Sequence, residues 1–151
     1  MSILLVEDEA PKRKNIRSLL EQMDLLNSVS EACSVGSAIR LLRSSSFDLV
    51  LLDMSLPTFD IVAGESGGRA QGFGGVEVLR YMDRFKLPTA VIVVTAYPAF
   101  SQGDKEIDLT ELGKNLEAQH PRIFKGIVFY NSMFSTWRDE LKTKIKEVIM
   151  R

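Results

Sequence analysis

Short runs of consecutive apolar residues alternate along this chain with segments in which apolar residues recur every three or four positions. Uninterrupted apolar runs are typical of strands buried on both faces, as in parallel sheets. The longer period is typical of helices that bury one face. The alternation therefore predicts an α/β fold, in which helices cover both faces of a parallel sheet.

Five strands and the helices between them can be placed from this pattern. We expect the strands at residues 3–6, 28–32, 47–53, 90–95 and 126–130. We expect the helices after Pro11, around 38–42, at 76–85, at 105–119 and from Trp137 onward. The sequence thus predicts a (βα)₅ doubly wound five-stranded parallel sheet, formed by a single domain of residues 1–151.

The helical period also predicts which side chains of two helices face solvent. The first helix is expected to bury Ile16, Leu19, Leu20 and Met23. Its charged residues are expected on the solvent side: Lys12, Arg13, Lys14 and Glu21. We expect His120 to be exposed at a helix end, because Pro121 follows it and breaks the helical pattern.

Composition excludes several classes of protein. A chain of 151 residues that is 45% hydrophobic fits one compact domain, and its single cysteine excludes an intramolecular disulfide. Nineteen basic and twenty acidic residues give a net charge of −1, which argues against broad electrostatic contact with nucleic acid. The sequence has no apolar run of the ~18 residues that a membrane span needs, and no secretion-signal pattern. We therefore expect a cytoplasmic location, with no nucleic-acid and no membrane partner.

Carboxylates stand where two of the predicted strands end. Glu7 and Asp8 follow the first strand, and Asp53 ends the third. Because parallel strands place their carboxyl ends along one edge of a sheet, we expect these side chains to meet there. An acidic pair ahead of a helix can also serve only the helix dipole. Three carboxylates at one edge favour a bound cation, and oxygen ligands of this kind suit Mg²⁺.

Four segments in order resemble the receiver domain of two-component response regulators: ILLVEDE (3–9), LLDMSLP (51–57), GVEVLR (75–80) and VVTA (93–96). The resemblance implies a flavodoxin-like receiver fold and phosphorylation of Asp53 by a histidine kinase or a phosphotransfer protein. It also implies that Mg²⁺ is held by Glu7, Asp8, Asp53 and the backbone carbonyl of Ser55. The Thr95 hydroxyl would bind a phosphoryl oxygen, and the output would be contact with an unknown downstream protein.

The sequence departs from the family's pattern at the lysine that usually ends the last strand. Tyr130 stands at the lysine position and Asn131 at the residue after it. Both side chains can form hydrogen bonds, but neither brings positive charge. Lys125 starts that strand, ~16 Å from the catalytic edge, so it cannot substitute. Arg69 of the loop between the third strand and the third helix is an alternative cation that could reach the site.

Two further departures concern the loops. A glycine-rich insertion at about 58–74 is expected to be a surface loop, with a flap over the acidic pocket or a partner-binding element as alternatives. The segment from Tyr97 to Lys125 is longer than usual in the family. Ile127 stands where the family usually has an aromatic switch residue, and Tyr97, Phe129 and Tyr130 are possible substitutes.

The sequence is compatible with two functions. The resemblance implies a stand-alone phosphoacceptor that catalyses only its own phosphorylation and dephosphorylation and is otherwise not an enzyme. The alternative is a pseudo-receiver, a protein-binding module that ignores phosphorylation, and the missing lysine favours it. A small aspartate-dependent phosphatase is disfavoured, because Ser55 stands where that chemistry uses a second aspartate.

Overall fold

The computed structural model describes residues 1–59, 74–102 and 105–150. Most of the glycine-rich insertion, and Arg69 within it, therefore lies outside the described residues. The expectations for the insertion and for Arg69 stay predictions.

Five parallel strands form the central sheet. The strands found in the described residues are β1 (Ile3–Val6), β2 (Val29–Ala32), β3 (Leu49–Leu52), β4 (Ala90–Thr95), β5 (Ala99–Gln102), β6 (Lys105–Asp108) and β7 (Phe124–Phe129). The sheet has the order β2-β1-β3-β4-β7, and β5 and β6 form a separate two-stranded antiparallel sheet. Val6 of β1 lies opposite Leu52 of β3, and Leu52 lies opposite Val93 of β4. The carboxyl ends of these three strands therefore meet at one edge.

Helices cover both faces of this sheet. They are α1 (Ala10–Gln22), α2 (Val35–Ser44), α3 (Gly74–Arg84), α4 (Leu109–Gln119) and α5 (Thr136–Ile149). One core cluster joins α1 and α5 to the sheet, and the other joins α2, α3 and α4 to the opposite face. Within the described ranges no helix combines the length and the apolar character that crossing a bilayer requires. The doubly wound five-stranded sheet predicted from the sequence is confirmed.

The structure corrects the prediction of a helix that begins at residue 105. Residues Lys105–Asp108 form β6, which pairs with β5, and the helix begins at Leu109. The Asp108 side chain accepts a hydrogen bond from the backbone N–H of Glu111 at 2.9 Å. This contact caps α4 and fixes its first residue.

His120 is buried, so the expectation of an exposed helix end is wrong. It ends a stripe of Leu112, Leu116 and His120 at four-residue spacing, which lies on the inward face of α4. Its Nδ1 atom pairs with the Asp83 carboxylate of α3, and Arg122 Nη2 donates to the same carboxylate at 3.0 Å. These contacts link α3 to the connection between α4 and β7.

The Asp83 carboxylate predicts a pH dependence of stability. Burial raises the pKa of Asp83, but the hydrogen bonds from His120 and Arg122 outweigh it and hold that pKa below its usual range. Ionised Asp83 therefore stabilises the fold at neutral pH, and this stability is lost as the pH falls through the lowered pKa. Asp83→Asn should reduce the free energy of unfolding by about 1 kcal/mol near neutral pH and by less near pH 3.

Urea unfolding of wild type and Asp83→Asn at both pH values checks this expectation. Glu117→Gln, an exposed substitution on α4, is the control and should change the free energy of unfolding little. A loss of equal size at both pH values would contradict the assignment of Asp83.

Candidate functional site

The structure brings three of the expected carboxylates together at the carboxyl edge of the sheet. Glu7 and Asp8 follow β1, and Asp53 follows β3. The backbone N–H of Asp53 donates to the carbonyl of Val6 at 3.0 Å, which holds the two strand ends side by side. Carboxylate oxygens of Glu7, Asp8 and Asp53 lie within 4.8 Å of one another. This spacing allows one cation to contact all three side chains.

The donor set fits Mg²⁺ in its chemistry. All three groups supply hard oxygen ligands, which Mg²⁺ prefers. Glu7 Oε1 faces the ammonium group of Lys12 at 2.7 Å, and Oε2 accepts a hydrogen bond from the backbone N–H of Glu9 at 3.1 Å. Both Glu7 oxygens are thus partly committed to the protein, and Lys12 also contacts Asp53 Oδ1 at 3.1 Å.

Lys12 lies inside this acidic cluster, which contradicts its expected place on the solvent side of α1. Its side chain is 1% exposed. The Nζ atom lies 2.7 Å from Glu7 Oε1 and 3.1 Å from Asp53 Oδ1, and it donates to the carbonyl of Val94 at 2.7 Å. These three contacts match the three donors of an ammonium group.

The sequence signal for this position is the spacing on α1. Lys12 precedes Ile16 by four residues, which places both side chains on the same buried face of the helix. The four-carbon stem crosses that apolar face, and the charged end reaches the carboxylates at the sheet edge. A lysine at a core position of the helical pattern, beside strands predicted to end in carboxylates, thus indicates a buried ion pair.

Burial and charge act together on the ionisable groups. The pKa of Glu7 is raised to about 7, chiefly by burial and also by the Asp53 carboxylate, although the Lys12 ammonium acts in the lowering direction. The pKa of Asp53 is raised to about 6, again chiefly by burial, although Lys12 acts in the lowering direction. Burial disfavours the charged form of Lys12, but the Asp53 and Glu7 carboxylates raise its pKa above the ordinary value. Lys12 is therefore a cation at neutral pH.

Tyr130, at the position usual for the family's lysine, is buried beside Lys12. The Lys12 Nζ lies 5.9 Å from the centroid of the Tyr130 ring. The Tyr130 hydroxyl accepts a hydrogen bond from Asn15 Nδ2 at 2.7 Å, and its ring lies 4.8 Å from the Trp137 ring. Asn131 instead forms a turn, because its Oδ1 accepts a hydrogen bond from the backbone N–H of Met133 at 2.9 Å. Neither residue supplies the missing charge.

The other expected site residues lie around the cluster. Thr95 ends β4 on the same edge as Asp53, and its hydroxyl accepts a hydrogen bond from the backbone N–H of Tyr97 at 3.3 Å. A hydrogen bond from the Ser55 backbone to the Asp53 carboxylate opposes the rise in the pKa of Asp53. Ile127 is half-buried in the core, whereas Phe129 and Tyr97 are exposed. The roles of Thr95 and of the Ser55 carbonyl stay predictions.

Comparison with known proteins decides the family. A family model described as the response regulator receiver domain matches residues 3–113 of this chain. The chain belongs to the response regulator receiver family.

Individual proteins agree with this receiver assignment. Detocs response regulatory protein DtcB of Enterobacter cloacae (strain JD6301) is 28% identical over 150 residues, which cover 98% of this chain and 100% of that protein. A signal receiver domain from Vibrio parahaemolyticus superposes with a TM-score of 0.67 at 22% identity, over 99% of this chain and 90% of that one. Response regulator TrrA of Thermotoga maritima, solved in complex with Mg²⁺–BeF, gives a TM-score of 0.60 at 25% identity. The last alignment covers 98% of this chain and 99% of TrrA.

Proposed function

We propose that this receiver is a phosphoacceptor of a two-component phosphorelay. Asp53 would accept a phosphoryl group from a phosphohistidine of a histidine kinase or phosphotransfer protein, and the signal would pass on by contact with a downstream protein. The observation that carries this proposal is the acidic cluster around Asp53, with the Lys12 ammonium 3.1 Å from Asp53 Oδ1. We further propose that residues 1–151 act as one cytoplasmic domain.

The chemistry needs only Asp53 and the donor as reactants. A carboxylate oxygen of Asp53 attacks the phosphorus, and the phosphorus–nitrogen bond of the phosphohistidine breaks. Its electron pair stays on the imidazole nitrogen, which then takes a proton from solvent. The product is an acyl phosphate on Asp53, and water later releases inorganic phosphate from it.

We propose Mg²⁺ as the cofactor of this step. Asp8 and Asp53 would bind it directly, Glu7 directly or through water, and the Ser55 backbone carbonyl would be a further ligand. When bound, Mg²⁺ offsets negative charge on the transferring phosphoryl group. The chain's similarity to TrrA, whose structure is a complex with Mg²⁺–BeF, supports this choice.

The pseudo-receiver remains the alternative function. The main argument for it was the uncharged residue at position 130. Lys12 weakens that argument, because this residue of helix α1 places a positive charge beside Asp53. We therefore favour a receiver that catalyses its own phosphorylation and dephosphorylation and is otherwise not an enzyme.

The Mg²⁺ site can be tested separately from phosphorylation. Asp8→Asn should weaken Mg²⁺ binding by about tenfold or more, because a carboxylate close to the metal loses its charge. A Mg²⁺ titration followed by Trp137 fluorescence provides the measurement, since Trp137 packs on Tyr130 beside the cluster. Glu9→Gln is the matched control, because Glu9 contacts Glu7 only through its backbone N–H. An unchanged affinity in Asp8→Asn would contradict the proposed site.

Phosphorylation itself is tested with a small phosphodonor. The protein is incubated with acetyl phosphate, with and without Mg²⁺, and its intact mass is followed over time. We expect a mass increase of one phosphoryl group that depends on Mg²⁺. Mg²⁺ binding without any adduct, in a folded protein, would favour the pseudo-receiver.

A further inference from the structure

We propose that Lys12 is the cation that binds the phosphoryl group in this receiver. The cation would then belong to helix α1 and not to the last strand of the sheet. The inference rests on the proposed function, since it assigns a residue to the same reaction. It also assigns Tyr130 a different role, in which the aromatic ring packs beside Lys12 and restricts the position of the lysine side chain.

Proximity to the acceptor is the first argument. Lys12 Nζ is already 3.1 Å from Asp53 Oδ1, so a phosphoryl group on this carboxylate would lie within reach of the ammonium group. In residues 1–59, 74–102 and 105–150, no other cationic side chain forms an ion pair with Asp53. Lys125 is turned to the far end of β7, where its Nζ donates to the carbonyl of Arg122 at 3.3 Å.

Orientation of the side chain is the second argument. Lys12 is 1% exposed, and Glu7 and the Val94 carbonyl each hold its Nζ at 2.7 Å. The Tyr130 ring lies 5.9 Å from the Nζ and is itself anchored by Asn15 of the same helix. A cation held this way needs little rearrangement when charge develops on the phosphoryl group, and preorganised charges of this kind contribute most to catalysis.

The contacts of Lys12 also indicate how phosphorylation would be sensed. The acyl phosphate carries more negative charge than the Asp53 carboxylate, so it competes with Glu7 and the Val94 carbonyl for the ammonium group. Val94 directly precedes Thr95 on β4, and Lys12 belongs to α1. A shift of Lys12 towards the phosphoryl group therefore changes the link between α1 and the end of β4.

Neutral substitutions of Lys12 test the role of its charge. Lys12→Gln and Lys12→Met should each slow phosphorylation by acetyl phosphate and Mg²⁺ by about 10- to 100-fold, measured by intact mass. Lys14→Gln is the matched control, because Lys14 is an exposed lysine of the same helix, and it should keep the wild-type rate. Far-UV circular dichroism and thermal unfolding establish that each variant is folded.

Mg²⁺ affinity gives a second readout that does not depend on phosphorylation. Removing the positive charge from a pocket of three carboxylates should tighten Mg²⁺ binding by about tenfold in both Lys12 variants, and Lys14→Gln should leave it unchanged. A purely structural lysine would not produce this opposite change, with slower phosphorylation and tighter metal binding in one variant.

Three results would overturn the inference. Folded Lys12 variants that are phosphorylated at the wild-type rate would remove Lys12 from the reaction and leave the proposed function intact. A wild-type rate in Lys12→Gln alone would show that a hydrogen bond suffices and that charge is not required. Absence of any adduct in the wild type would reject the proposed function, and the role of Lys12 with it.

Discussion

Asp53→Asn is expected to abolish the phosphoryl adduct while the protein stays folded. The carboxylate is the nucleophile, and an amide of the same size cannot form the acyl phosphate. Asp53 is 4% exposed, and the substituted amide oxygen can still accept a hydrogen bond from Lys12. We therefore expect a free energy of unfolding within about 1 kcal/mol of the wild-type value.

Intact mass after incubation with acetyl phosphate and Mg²⁺, together with urea unfolding, measures both expectations. Asp48→Asn is the matched control, because Asp48 is an exposed aspartate at the opposite end of the same strand. It should form the adduct as the wild type does. An adduct that persists in Asp53→Asn would move the acceptor to another residue.

Gly75→Ala should destabilise the fold strongly, because α3 begins in direct contact with the loop after Asp53. A Cβ atom at Gly75 would lie 2.5 Å from the Asp53 carbonyl oxygen and 2.4 Å from Met54 Cε. The Gly75 backbone N–H donates to the Met54 carbonyl at 2.9 Å, so helix and loop cannot separate without losing this bond. We expect a loss of about 2–3 kcal/mol in the free energy of unfolding.

Gly113→Ala is the matched control for this substitution. A Cβ atom there would meet Ile127 Cδ1 at 3.7 Å, an ordinary van der Waals distance, within helix α4. The substitution should raise stability by up to about 1 kcal/mol, because alanine favours a helix over glycine. Urea unfolding of both variants and of the wild type measures these changes in the free energy of unfolding. Equal stability of Gly75→Ala and wild type would contradict the close approach.

The fold and the acidic cluster were predictable because both depend on short, local patterns. The apolar runs at residues 3–6 and 90–95 match β1 and β4 as the structure has them. Asp53 and Glu7 meet because parallel strands end on one edge, a property of the topology and not of any special contact. The pairing of β5 with β6 was missed because it joins two separate short segments, neither of which has a distinctive apolar pattern of its own.

The two mispredicted side chains, Lys12 and His120, both continue the apolar stripe of a helix. Lys12 precedes Ile16 of α1 by four residues but was expected in solvent because it is charged. His120 follows Leu116 of α4 by four residues but was expected in solvent because Pro121 comes next. The helical period determined their burial, and buried polar groups then require partners. Glu7 and Asp53 provide them for Lys12, and Asp83 does so for His120.

Locating the phosphoryl group on the chain tests the central claim most directly. After incubation with acetyl phosphate and Mg²⁺, borohydride reduction converts an aspartyl phosphate to homoserine, which tandem mass spectrometry of the digested protein can place. The account predicts homoserine at position 53, and none there when Mg²⁺ is omitted. Homoserine at another aspartate, or at none in a protein that binds Mg²⁺, would contradict it.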